Sequence, residues 1–174
     1  MPTIYLDMDG VLADFESNAK RIIKPVEGEI HKDSQSYWPR DQWEQLLAYP
    51  HLYKMLDKMP KADDMVVLAR RFRDELGWEL RALTAIPRRN DIPFVFHDKI
   101  EWMQDFYPDI PVFFGPYSED KHNFCKVGDI LVDDRPSNIT EWQECSGIGV
   151  LVKENAYDQA LEEVLEIFEK FKRI

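Results

Sequence analysis

Apolar residues fall in short unbroken runs, bounded by charged or turn residues, at 3–8, 79–83, 112–114, 129–132 and 147–152. Unbroken rather than alternating apolarity is the mark of strands covered on both faces. Between these runs, residues 62–76, 97–107 and 136–144 repeat their apolar positions at helical spacing. Strand and helix in alternation predict an α/β protein, a Rossmann-like parallel sheet of about five strands with right-handed crossovers, flanked by helices. The closing stretch sets Tyr157, Ala160, Leu161, Val164, Leu165, Phe168 and Phe171 on one face, with acids and lysines mostly elsewhere. That pattern predicts a packing helix rather than a site.

Residues 15–60 break the alternation. They carry few strand signals, several prolines, and the cluster Tyr37-Trp38-Pro39 followed by Trp43, Leu46 and Leu47. The interval predicts a small, mainly helical insertion after the first strand, leaving 1–14 and 61–174 as the α/β core. No internal repeat or low-complexity segment interrupts either part.

A length of 174 residues suits one domain, or one domain with a small insertion. Hydrophobic residues at 44% and aromatics at 13% are enough for a core and exclude a mainly disordered chain. With 22 basic against 33 acidic residues, a net charge of −11 argues against a broad basic face for a nucleic-acid polymer or an anionic membrane. Any anion must therefore be held locally. Cys125 and Cys145 show no C-x-x-C spacing and no paired histidines nearby, which indicates neither a zinc site nor a disulfide framework. His31, His51, His97 and His122 are scattered without metal spacing and are expected to be surface or packing residues, with only His122, beside Lys121, of interest. The opening residues lack a basic leader and no apolar run reaches the roughly 18 residues of a bilayer span, so a cytoplasmic protein is expected. Oligomeric state is left open, a homodimer included.

The first apolar run ends in Asp7-Met8-Asp9-Gly10-Val11-Leu12. Its carboxylates stand at the carboxyl edge of a parallel strand, where open α/β sheets bind ligands. Side chains at i and i+2 of a strand share a face, and two carboxylates there repel unless a cation or a shared proton uses the charge. Gly10 lets the backbone turn beside a ligand. A calcium loop is a weaker alternative: Asp7, Asp9, Gly10 and Glu16 fit its spacing, but its leading position would be Tyr5, inside a strand signal. Two strand-end aspartates capping a helix are another alternative for an isolated D-x-D.

Three later segments shift the balance. Leu83-Thr84-Ala85, with Pro87 following, places a hydroxyl and free N–H groups at another strand end, suited to phosphate oxygens. Lys121 precedes the fourth strand, with Lys126 as its rival. Ile130-Leu131-Val132 then runs into Asp133-Asp134-Arg135, adjacent acids at a buried strand end that need a counter-charge such as a hard cation.

In this order the four segments resemble the motifs of the haloacid dehalogenase-like (HAD-like) phosphohydrolase superfamily. Within it, residues 7–15, 83–87 and 130–135 resemble the 5′(3′)-deoxyribonucleotidase family. The resemblance implies a Mg²⁺-dependent phosphomonoesterase acting on a nucleoside monophosphate, with a deoxyribonucleotide preferred. Asp7 would be the nucleophile that forms an aspartyl-phosphate, and Asp9 the general acid and then base. Mg²⁺ would be held by Asp7, the Asp9 carbonyl and the Asp133-Asp134 pair, with Asp134 favoured as direct ligand. Thr84, the N–H groups near Ala85, and Lys121 would hold phosphoryl oxygens. The insertion would be a cap that selects substrate. Phe15, Tyr37, Trp38 and Trp43 are candidates to stack a base, though each could equally be cap core. Arg40, Arg88 and Arg89 could add substrate contacts. A sugar phosphate as substrate and a phosphate-binding protein without turnover remain as alternatives.

Overall fold

A computed structural model of the protein describes residues 1–23, 40–88 and 93–174. Five strands, β1 (Thr3–Leu6), β2 (Glu79–Thr84), β3 (Val112–Phe114), β4 (Ile130–Asp133) and β5 (Ile148–Leu151), form one sheet in the order β3-β2-β1-β4-β5. Every neighbouring pair is parallel. The five apolar runs thus become the five strands. β1 stops at Leu6 rather than Met8 because the chain turns back on itself there, with the N–H groups of Val11, Leu12 and Ala13 all directed at the Met8 carbonyl.

Unbroken apolarity has its structural reason in two cores. Ile4, Leu6, Ile130 and Val132 face the larger one, shared with α3 (Ala62–Leu76), α4 (Val95–Phe106) and α6 (Tyr157–Lys172). Tyr5, Leu83 and Leu131 face a smaller one built on Ile139 and Trp142 of α5 (Pro136–Glu144). Local chemistry fixes the helix ends. Asp14 caps α1 (Phe15–Ile22) by accepting from the Ser17 N–H, Gly77 ends α3 in the left-handed region, and Pro136 opens α5.

Between β1 and α3 the regular elements among the described residues are helical: α1, α2 (Arg40–Leu47) and a 3₁₀ turn, Leu52–Met55. The outgoing and returning chains run side by side, with the Asp14 N–H on the Asp57 carbonyl and the Met59 N–H on the Leu12 carbonyl, each at 2.8 Å. His31, Tyr37, Trp38 and Arg89 lie outside the described residues, as does the side chain of Arg40. Strand order places the ligand crevice. From β1 the chain builds outward through β2 and β3, then returns to add β4 and β5 on the other side. Such a reversal opens a crevice at the carboxyl ends of the two central strands, here β1 and β4.

Candidate active site

Asp7 is the first residue past β1, and its N–H bonds the Val132 carbonyl at 2.9 Å, which ties it to the end of β4. Asp133 closes β4 and Asp134 follows it. One carboxylate oxygen each from Asp7, Asp133 and Asp134 lies within 4.8 Å of the other two. Gly10 makes the approach feasible: it holds φ at +85°, and a Cβ there would be driven into the Asp134 carboxylate. Lys121 reaches in from a 3₁₀ segment, Ser118–Phe124, and is itself buried. Its Nζ donates to Asp7 Oδ1 at 2.7 Å and to Asp133 Oδ2 at 2.8 Å. Lys126, the rival lysine, is exposed on the loop before β4.

The two adjacent acids are not equivalent. Asp133 accepts from the Arg135 N–H on Oδ1 and from Asn138 Nδ2 as well as Lys121 on Oδ2, so protein donors occupy both oxygens. Among the described residues nothing donates to Asp134. Burial, then the Asp133 charge, push the Asp7 carboxyl up to about 6 against the opposing pull of Lys121. Asp134 is raised well above the carboxylate range, because its carboxyl sits deep among protein atoms and faces Asp7 and Asp133, although the residue has surface open to solvent. Burial would lower Lys121, but Asp133 and Asp7 hold it above its ordinary value. Three carboxylates against one ammonium leave an excess of negative charge. Hard oxygen donors in that state suit a divalent cation of the Mg²⁺ type.

A second buried lysine, not singled out by the sequence pattern, completes the other side. Lys99 of α4 donates to Asp9 Oδ2 at 2.7 Å and to Thr84 Oγ1 at 2.8 Å, at the end of β2. Thr84 is fully buried and Ala85 follows it, half-buried. The other Asp9 oxygen, Oδ1, is buried and has no partner among the described residues. A signal for Lys99 existed: it lies on the same helix face as Val95, Trp102 and Met103, all buried, and a lysine on an apolar face needs an anion.

Aromatic rings adjoin this second side. Phe15 stacks on Tyr53 at 5.6 Å and 20°, and Trp43 lies 5.8 Å from Phe15. Burial, then the charge of Asp9, raise the Tyr53 hydroxyl, which places that ring beside the site. Phe15 and Trp43 are also partly buried against the larger core, so packing accounts for part of their placement. Arg88, a candidate for substrate contact, pairs with Glu119 and lies 4.6 Å from the Tyr117 ring.

The family model for 5′ nucleotidase, deoxy (pyrimidine), cytosolic type C proteins (NT5C) matches residues 1–167. The chain belongs to this family. It is a nucleotidase-type phosphoric monoester hydrolase, and the crevice between β1 and β4 carries its acidic cluster. No curated protein matches the nucleotidase chain. Among solved structures, one from Thermotoga maritima, described as a candidate beta-phosphoglucomutase, superposes with a TM-score of 0.51 over 98% of this chain and 99% of that one, at 17% identity. That likeness shows the shared HAD-like fold. No helix among the described residues is long and apolar enough to cross a membrane.

Proposed function

We propose that this nucleotidase hydrolyses the phosphate of a nucleoside monophosphate, with a deoxyribonucleotide preferred, through an aspartyl-phosphate on Asp7. One observation carries the mechanism: Asp7, Asp133 and Asp134 converge beside a buried lysine, while Asp9 keeps a buried oxygen unpartnered next to them. A Mg²⁺ held by Asp7, the Asp9 carbonyl and Asp134 would neutralise charge on the phosphoryl oxygens. Asp133, saturated by Lys121, Arg135 and Asn138, supports that set from behind.

Asp7 attacks phosphorus, and the bond to the ester oxygen breaks as Asp9 gives that oxygen a proton. Asp9, now a base, takes a proton from water. The water attacks phosphorus, releasing inorganic phosphate and restoring the Asp7 carboxylate. Lys121, Lys99, Thr84 and the N–H groups near Ala85 hold the equatorial oxygens, which carry most of the charge in a loose transition state. The 15–60 insertion acts as a cap over the crevice, and Phe15, Trp43 and Trp38 contact the base.

A panel of deoxyribonucleoside and ribonucleoside monophosphates and sugar phosphates, assayed with Mg²⁺ and with chelator, tests both layers. Metal-dependent turnover with nucleotides preferred is expected. Preference for a sugar phosphate overturns the substrate, and unchanged turnover in chelator overturns the metal.

A further inference from the structure

Helix α4 carries a buried carboxylate that the proposed reaction does not use. Asp98, the residue before Lys99, is fully buried. Among the described residues its carboxylate meets only imidazoles: His51 Nδ1 at 3.0 and 3.2 Å from its two oxygens, and His97 Nδ1 at 3.9 Å. A carboxylate kept from water without a donor is costly, so this contact decides whether the first turn of α4 sits where it does.

His51 belongs to the inserted segment, immediately before its 3₁₀ turn. Its ring stacks on Phe94 at 4.6 Å and 13°. Phe94 precedes α4 with φ of 66°, a left-handed conformation that a bulky residue adopts only when its surroundings impose it. Further along, the Tyr53 ring lies 4.7 Å from Lys99 Nζ, Lys54 pairs with Glu101 at 2.6 Å, and Trp102 Nε1 donates to the Leu56 carbonyl at 2.8 Å. Segment 51–56 is thus joined along one side of α4. The Lys54–Glu101 pair is open to solvent and screened, whereas the His51–Asp98 pair has one member wholly out of water.

We propose that His51 and Asp98 are positioning residues, a clasp that fixes the inserted segment on α4 and sets the Lys99 ammonium against Asp9 and Thr84. Asp98 and Lys99 share a peptide bond. Any rotation of the first turn that lets an unpaired Asp98 reach water draws Lys99 away from the phosphate side of the site. The clasp depends on the proposed function only in making Lys99 a phosphate ligand.

The test uses the Mg²⁺-loaded enzyme, with inorganic phosphate binding by calorimetry and turnover of a deoxyribonucleoside monophosphate as readouts. His51→Ala should weaken phosphate binding and lower kcat by about tenfold each, the scale of one hydrogen bond to a charged group. His51→Asn, whose amide N–H can replace Nδ1, should restore both to within about twofold. In a Lys99→Met background His51→Ala should add almost nothing, because the residue it acts through is gone. An undiminished loss in that background, or wild-type phosphate binding in His51→Ala, overturns the proposal. Amide hydrogen exchange over residues 51–56 and 95–99 decides the clasp even for a protein that binds no phosphate. Protection lost in His51→Ala and regained in His51→Asn supports it, and unchanged protection in His51→Ala refutes it. Absence of turnover in the wild type refutes the proposed function alone.

Discussion

Lys121 and Lys99 are both buried, and each lies 2.7 Å from one aspartate of the same D-x-D motif, yet their surroundings are opposites. Lys121 stands among Asp7, Asp133 and Asp134, where negative charge exceeds positive and two carboxyls are raised. Among the described residues Lys99 pairs with one carboxylate, Asp9, beside a threonine hydroxyl and an aromatic ring. One half of the site therefore stores uncompensated charge, which invites a cation. The other is balanced, and among the described residues one oxygen of Asp9 has no partner. In the proposed reaction, setting the acid that exchanges a proton apart from the acids that would bind metal lets neighbouring residues do different chemistry.

The largest effects should separate the two aspartates. Asp7→Asn should cost several powers of ten in kcat, the scale of losing a nucleophile, while Asp9→Asn should lose about 10²–10⁴ and still bind substrate. Steady-state kinetics with inorganic phosphate as competitor checks both, and wild-type turnover in Asp7→Asn would exclude covalent catalysis through it.

Next come the lysines. Lys121→Met leaves Asp7 and Asp133 facing each other unopposed and should destabilise the fold by about 3 kcal/mol, as when one partner of a buried ion pair is removed. Lys99→Met should cost about 1–2 kcal/mol of stability, since Asp9 is partly open to water, and show its main loss in kcat/KM. Denaturant melts beside kinetics sharpen the contrast, and matching profiles for the two variants would abolish it.

A smaller effect concerns pH. The Asp7 carboxyl is raised in the folded protein to about 6, so its contribution favours folding below the unfolded carboxylate value and is lost as pH rises through about 6. A cation that binds the ionised cluster acts in the reverse direction. The gain in Tm on adding Mg²⁺ should be largest near neutral pH and fade as pH drops below about 6. A gain that grows on acidification would place the cation elsewhere. Smallest of all, Lys126→Ala should stay within about twofold of wild-type turnover, as surface changes usually do.

How legible the molecule is from its residues differs between these halves for a physical reason. Asp7, Asp9, Asp133 and Asp134 end strands of unbroken apolar residues, and a charge set against such a background is conspicuous in one dimension. The strand runs are equally plain, because burial on both faces leaves no polar positions to blur them. Lys99 is hidden because a helix returns to its buried face only every third or fourth residue, so in sequence it stands among the charged or exposed residues His97, Asp98, Ile100 and Glu101, and its apolar companions Val95, Trp102 and Met103 lie three or four positions away. Asp98 and His51 are illegible for a different reason: 47 positions separate them, and only the fold of the inserted segment brings them together. Lys121 and Lys126 can be ranked from the sequence, but only the 3₁₀ segment Ser118–Phe124 shows which one turns inward.

The most direct test is a crystal structure of the enzyme grown with Mg²⁺ and beryllofluoride, which mimics a phosphoryl group on a carboxylate. The adduct should form on Asp7, with a single cation touching both Asp7 and Asp134. An adduct on any other side chain, or a cation bound without one of those two residues, would contradict the proposed mechanism.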